Sequence, residues 1–215
     1  FTWHFLKGLV ERFPSVRDRG LAPADLADVT GHFLELFAGR NIFVYSAARG
    51  EAPLAVRGHF GVPEQAKLLV ASTSSLDERF AVEAVGAFPP GEPPCFPTQV
   101  DWLRWLLDEA RRRPDWFVLI RVHPREFPNR REGVLSGHAE LLLKVLTGLP
   151  PNVRVNWPDE KISIYELAQE ADLFLNAWSS VGKEMALLGI PVALYAPQLV
   201  LYPPALNEVG TTPDA

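Results

Sequence analysis

Residues 172–195 read DLFLNAWSSVGKEMALLGIPVALY. Asp172 to Ala177 is a short aliphatic run of the kind buried inside a parallel sheet. Ser179 can cap the helix that follows, Gly189 can close it, and Pro191 enforces the stop. Val192 to Tyr195 then supplies a second short strand. A strand, one crossover helix and another strand of this kind form a parallel unit.

The same rhythm extends backwards. Lys67 to Thr73 (KLLVAST), Trp116 to Val122 (WFVLIRV) and Val153 to Asn156 are β-prone runs. Between them, Pro97 opens an amphipathic helix carrying Val100, Leu103, Leu107 and Ala110, which ends near Pro114. A second helix is expected over His138 to Leu149. Ser163 and Glu166 have the spacing of a capping box for a third, running to Ala171. Five strands with helical crossovers predict an α/β fold, a Rossmann-like doubly wound parallel sheet with helices on both faces. Residues 66–215 are assigned to this domain.

Residues 1–65 read as a mainly helical segment, a linker or a remnant of a preceding half. Pro23 opens a helix there, with Leu26, Val29, Phe33, Leu36 and Phe37 at helical spacing up to Gly39. Ile42 to Ala47 is strand or helix, and periodicity does not decide. The chain starts with Phe1, and we expect it to be part of a longer polypeptide.

Composition narrows the function. The 215 residues are 47% hydrophobic and 22% charged, as in ordinary globular proteins. Twenty-one Lys and Arg against 26 Asp and Glu give a formal charge of −5, which offers no duplex-scale phosphate surface and argues against nucleic acid. A small anion at a local site remains compatible. Cys95 is the lone cysteine, which excludes internal disulfides and multi-cysteine zinc sites. Prolines 191, 197, 203 and 204 interrupt the most apolar stretch, so no transmembrane segment is expected. His4, Lys7, Glu11 and Arg12 interrupt any signal-peptide pattern at the start.

In open α/β sheets ligands bind beyond the carboxyl ends of the strands. Two strand-ending loops there carry suggestive chemistry. In RVHPRE (121–126), His123 stands at the strand end, Pro124 fixes the backbone exit, and Arg121 and Arg125 can add bidentate charge for a phosphate. In WSSVGKE (178–184), the hydroxyls of Ser179 and Ser180 meet N–H groups at a helix start, and Gly182 keeps that turn open to a close ligand. Glu184 follows Ser180 by four residues on the same face and suits ribose or sugar hydroxyls rather than phosphate. Ser74, Ser75, Asp77 and Glu78 follow the first sheet strand and can contact the transferred group. Each loop alone also reads as ordinary turn or capping chemistry. Together in one sheet they point to a nucleotide-phosphate site. The histidines at 4, 32, 59 and 138 show no metal-ligand spacing, and no Walker loop, GxGxxG or nucleophile elbow is present.

Lys67 to Val200 resembles the C-terminal, donor-binding half of GT-B-type glycosyltransferases of bacterial surface-polysaccharide synthesis. The resemblance is carried, in order, by ASTSSLDE, FPTQVDWL, FVLIRVHPRE and ISIYELAQEADLFLNAWSSVGKEMALLGIPV. It is to the capsule and lipopolysaccharide group that includes Kdo transferases and, more distantly, bacterial sialyltransferases. The resemblance implies that His123 with Pro124, and Ser179 with Ser180, hold the donor phosphate, and that Glu184 contacts ribose or sugar. It also implies a CMP-linked donor, a glycan or lipid-linked glycan acceptor, no cofactor, and metal-independent displacement at the anomeric carbon. The catalytic base of such enzymes lies in an acidic motif of the other half, and residues 1–65 contain no recognisable version of it. The expected location is the cytoplasm, with peripheral attachment to the inner membrane through other parts of the protein. Three alternatives stay open: a UDP-sugar 2-epimerase, a CDP-glycerol glycerophosphotransferase, and a non-catalytic nucleotide-binding module.

Overall fold

The computed structural model of the chain describes residues 2–40, 46–76, 84, 94–127 and 135–213. Two helices open it, α1 (Thr2–Val16) and α2 (Pro23–Phe37), followed by the short α3 (Val56–Phe60). Strands and helices then alternate: β1 (Lys67–Ser72), α4 (Gln99–Arg112), β2 (Trp116–Arg121), α5 (Gly137–Val145) and β3 (Val153–Asn156). After a 3-10 turn come α6 (Ile164–Gln169), β4 (Leu173–Asn176), α7 (Val181–Leu187), β5 (Val192–Leu194) and the two-residue β6 (Glu208–Val209). Of the predicted stretch Ile42 to Ala47, residues 42–45 lie outside the described residues, as do Asp77 and Glu78.

All strand pairs are parallel, in the order β3-β2-β1-β4-β5-β6. This is a doubly wound sheet, and the chain reverses its direction of winding between β1 and β4. The register aligns the carboxyl ends. Asn156, Arg121, Ser72, Asn176 and Leu194 stand side by side in one row across five strands. The four polar members of that row are all buried.

Strand alternation gives the sheet two apolar faces. Leu69, Ala71, Val118 and Ile120 meet Leu103, Leu106 and Leu107 of α4 and Leu142 of α5 on one face. Leu68, Val70, Phe117, Leu119 and Phe174 meet Leu167 of α6 and Met185 of α7 on the other. Phe33 and Leu36 of α2, with Val56 and Phe60 of α3, belong to that second core.

Several local expectations shift. The helix expected to open at Pro97 is capped one residue later, where the Thr98 hydroxyl accepts from the Asp101 N–H at 3.1 Å. The capping box at Ser163 does not form. Its hydroxyl makes no hydrogen bond among the described residues, and Glu166 instead accepts from the Gly50 N–H at 3.3 Å. Helix α5 stops at Val145 rather than Leu149, because Gly148 turns the chain with φ +63°. On α2, only Phe33 and Leu36 of the apolar stripe are buried, whereas Leu26 and Val29 are 53% and 44% exposed. The sixth strand was not expected at all.

Candidate functional site

The carboxyl edge is organised by three loops, after β1, β2 and β4, on either side of the switch point. Hydroxyl groups stitch them together. The Thr73 hydroxyl accepts the His123 N–H at 2.8 Å, joining the β1 and β2 loops. The Ser74 hydroxyl accepts the Trp178 N–H at 3.1 Å, joining the β1 and β4 loops. Ser74 and Ser75 are both buried, and Ser74 braces the edge from within.

His123 is half-buried at the end of β2, and its Nδ1 accepts the Arg125 N–H at 3.3 Å. That acceptor role puts the proton of the neutral ring on Nε2 and makes it a donor. Pro124 is half-buried and Arg125 is exposed beside it. Arg121 differs from the sequence expectation of a phosphate clamp. It is 3% exposed, and its guanidinium donates to Asn156 Oδ1. Burial lowers its pKa to about 10, partly opposed by the negative charge of Glu160. Glu160 in turn accepts from Asn156 Nδ2 at 3.1 Å and from the Trp157 N–H at 2.7 Å. Arg121 therefore ties the end of β2 to β3 and to the turn beyond it.

The β4 loop is shaped by Asn176. Its Nδ2 donates to the Ser179 carbonyl at 2.9 Å and its Oδ1 accepts the Ser179 N–H at 3.2 Å. The helix cap is Ser180, one residue later than expected, with no side-chain capping bond; the Ser179 hydroxyl instead accepts the Val181 N–H at 3.4 Å. Ser180 is exposed at the edge. Gly182 has a different reason from the one expected. A Cβ there would lie 2.3 Å from both Asn176 Nδ2 and the Tyr202 hydroxyl, so protein atoms already fill that space. Tyr202 donates to Asn207 Oδ1 at 2.7 Å, and burial pushes its pKa up to about 12. Half-buried Glu184 accepts the Tyr165 hydroxyl at 2.8 Å, and burial followed by this negative neighbour raises the tyrosine's pKa.

A second buried cluster lies beneath the β1 loop, and no role was expected of it. Gln99, 1% exposed at the start of α4, accepts the Ser74 N–H at 2.7 Å and donates to the Ser74 carbonyl at 3.1 Å. Its Nε2 also lies 3.2 Å from His138 Nε2. Glu126, in the β2 loop, accepts the Leu76 N–H at 2.9 Å. One signal was present in the sequence: Gln99 occupies the face of α4 that carries Leu103 and Leu106, where a polar residue needs partners.

Two concavities lie away from this edge. One of about 590 Å³, bounded by Gly61, Pro63, Phe117 and Pro150, sits at the amino end of the strands. Another of about 380 Å³ lies between α4 and α5, beside Arg104, Arg111 and Lys144. Among the described residues no trio of His, Cys, Asp or Glu is placed to hold a metal, and no helix is long and apolar enough to cross a membrane. Cys95 donates to the Tyr195 carbonyl at 3.7 Å, and burial raises its pKa, which makes it a poor nucleophile.

No family model matches the chain, and no curated protein matches it. Solved structures do resemble it. One is KpsC of Thermosulfurimonas dismutans, a beta Kdo 2,4 transferase, with 15% identity over 96% of this chain and 55% of that one, at a TM-score of 0.48. Another, from Listeria monocytogenes and described as a UDP-N-acetylglucosamine 2-epimerase, has 13% identity over 70% of this chain and 32% of that one, at 0.43. The wall teichoic acid polymerase TagF, as the H444N variant, has 18% identity over 66% of this chain and 28% of its own, at 0.40. The chain thus spans between about a quarter and about half of the length of these structures.

Proposed function

We propose that the carboxyl edge between β1, β2 and β4 binds the phosphate of a nucleotide-activated sugar, as the donor half of a GT-B-type glycosyltransferase. The observation that carries this reading is the pair of hydroxyl links, Thr73 to His123 and Ser74 to Trp178. They draw the His-Pro loop and the Ser-Ser loop to one edge at the switch point, where open α/β sheets take ligands. His123 Nε2–H donates to the departing phosphate, with Arg125 supplying exposed positive charge. Ser179 and Ser180 offer hydroxyls to the same oxygens, and Glu184 takes a ribose or sugar hydroxyl opposite its Tyr165 bond. Arg121 and Gly182 shape the edge and leave the ligand to these side chains. The acceptor hydroxyl is deprotonated by a carboxylate outside this chain, and the protein's own cations and N–H groups balance the leaving charge without a metal. The resemblance of the motifs favours a CMP-linked, Kdo-like donor and a bacterial surface glycan acceptor. We further propose that residues 66–215 carry the donor-binding loops of a cytoplasmic enzyme held at the inner membrane through other parts of the protein.

Calorimetric titration with CMP, UDP and CDP tests this. We expect selective CMP binding, weakened about 10- to 100-fold in His123→Ala and less in Ser180→Ala, the range for losing a hydrogen bond to a charged group. Preference for UDP would favour an epimerase or UDP-sugar transferase, and preference for CDP a glycerophosphotransferase. Affinity unchanged in His123→Ala would sink the assignment of the site. Binding without turnover in the full polypeptide would indicate a non-catalytic module.

A further inference from the structure

The Gln99–His138 contact fixes protonation states. The Ser74 N–H requires the Gln99 oxygen, at 2.7 Å, and the Ser74 carbonyl requires the Gln99 amide nitrogen, at 3.1 Å. The amide orientation is therefore set by the backbone of Ser74. Its second N–H points to His138 Nε2 at 3.2 Å, which must accept. His138 then carries its proton on Nδ1, and an imidazolium there would oppose one N–H to another. Gln99 and His138 are both buried, at 1% and 9% exposure, so water offers little relief.

This cluster reaches the donor loops. Gln99 holds the backbone of Ser74, and the Ser74 hydroxyl holds the Trp178 N–H at the head of the Ser179–Ser180 segment. The charged group acting on His138 is Glu126, whose carboxylate is engaged by the Leu76 N–H at 2.9 Å and by the Ser136 hydroxyl at 3.5 Å. Among the described residues of the two helices, Asp101 and Arg104 of α4 pair with each other at the surface, and Glu140 of α5 is exposed. Burial lowers the pKa of His138 from its usual 6.5, and Glu126 opposes that shift only in part.

We propose that neutral His138 is a positioning residue of the donor site: through Gln99 and Ser74 it fixes the Trp178–Ser180 segment, and its protonation releases that segment and weakens donor binding. The second half of this statement rests on the nucleotide-sugar reading above, whereas the first does not.

Nuclear magnetic resonance of the ¹⁵N-labelled chain between pH 8 and 5.5 separates the two. The expected result is that the backbone amides of Ser74 and Trp178 move together with the His138 ring, at one midpoint below 6.5, the ordinary histidine value. In His138→Gln, which keeps an acceptor that does not titrate, both amides stay still. In Ser74→Ala, which cuts the last link but keeps Gln99 and His138, the residue-74 amide still follows the ring and the Trp178 amide does not. CMP affinity of the wild type falls about tenfold or more from pH 7.5 to 5.5, and that of His138→Gln changes less than about threefold, the span of one hydrogen-bonded contact. Amides that ignore the His138 titration would overturn the relay, even if His138→Gln fails to fold. A relay that titrates as expected in a chain that binds no CMP, UDP or CDP would leave the positioning role standing and overturn the donor reading.

Discussion

The two faces of the sheet are built from different parts of the chain. The face under α4 and α5 is closed by residues from Leu69 to Tyr202. The opposite face is closed only with help from Phe33, Leu36, Val56, Phe60 and Val62, all of which precede the first strand. Burial tells the same story on α2, where Phe33 and Leu36 face the sheet while Leu26 and Val29 face outward. The difference teaches that α2 and α3 serve the sheet as a cover over one side. A boundary at residue 66 marks a change of rhythm in the sequence and runs through a shared core.

The strongest way to break this comparison is to remove residues 1–62. Leu68, Val70, Phe117 and Leu119 would then lose the part of their cover that α2 and α3 supply, keeping only that from α6 and α7. We expect a chain that no longer unfolds cooperatively in urea; a sharp transition at nearly the full-length midpoint would show that the second face closes by itself. Single truncations give a finer measure. Leu106→Ala, on the first face, and Leu36→Ala, on the second, remove side chains that are 0% and 3% exposed. Each should cost about 2–5 kcal/mol in chemical denaturation. A Leu36→Ala cost below about 1 kcal/mol, small for any buried leucine, would mark α2 as loosely attached. The smallest effect belongs to the edge itself. Ser74→Ala removes the hydroxyl that receives the Trp178 N–H and should lower stability by about 1–2 kcal/mol, the usual cost of leaving a buried donor unpaired. No change at all would mean that the β4 loop stands without the β1 loop.

The sheet was readable because its strands are short aliphatic runs set between helix signals. Val153 to Asn156 is found where it was expected, and Lys67–Ser72 and Trp116–Arg121 each stop one residue sooner. The two-residue β6 has no such run, and only its register beside Ala193 and Leu194 defines it. Ser163 shows the limit of local rules. Its capping box loses the Glu166 carboxylate to the Gly50 N–H, while the first N–H of the helix, from Ile164, goes to the Ser46 hydroxyl at 2.8 Å. Partners more than a hundred residues away leave no trace in a four-residue motif. The candidate site divides in the same way. The places of His123, Ser179 and Ser180 at the carboxyl edge are legible because strand ends and helix starts are local events. Gln99 and His138 were not, since their meeting depends on α4 and α5 packing side by side. Gly182 was noticed for the right local reason, a backbone kept bare, with the wrong neighbour in mind.

That glycine has a consequence for how the sequence can change. Any single replacement at 182 collides with Asn176 and Tyr202, each 2.3 Å from where the first side-chain carbon would go. Asn176 cannot shrink without releasing Ser179, nor Tyr202 without releasing Asn207. Position 182 is therefore locked by the other two: a side chain can enter there only if Asn176 and Tyr202 both give way. Descendants of this chain would keep glycine at 182 for as long as they keep Asn176 and Tyr202.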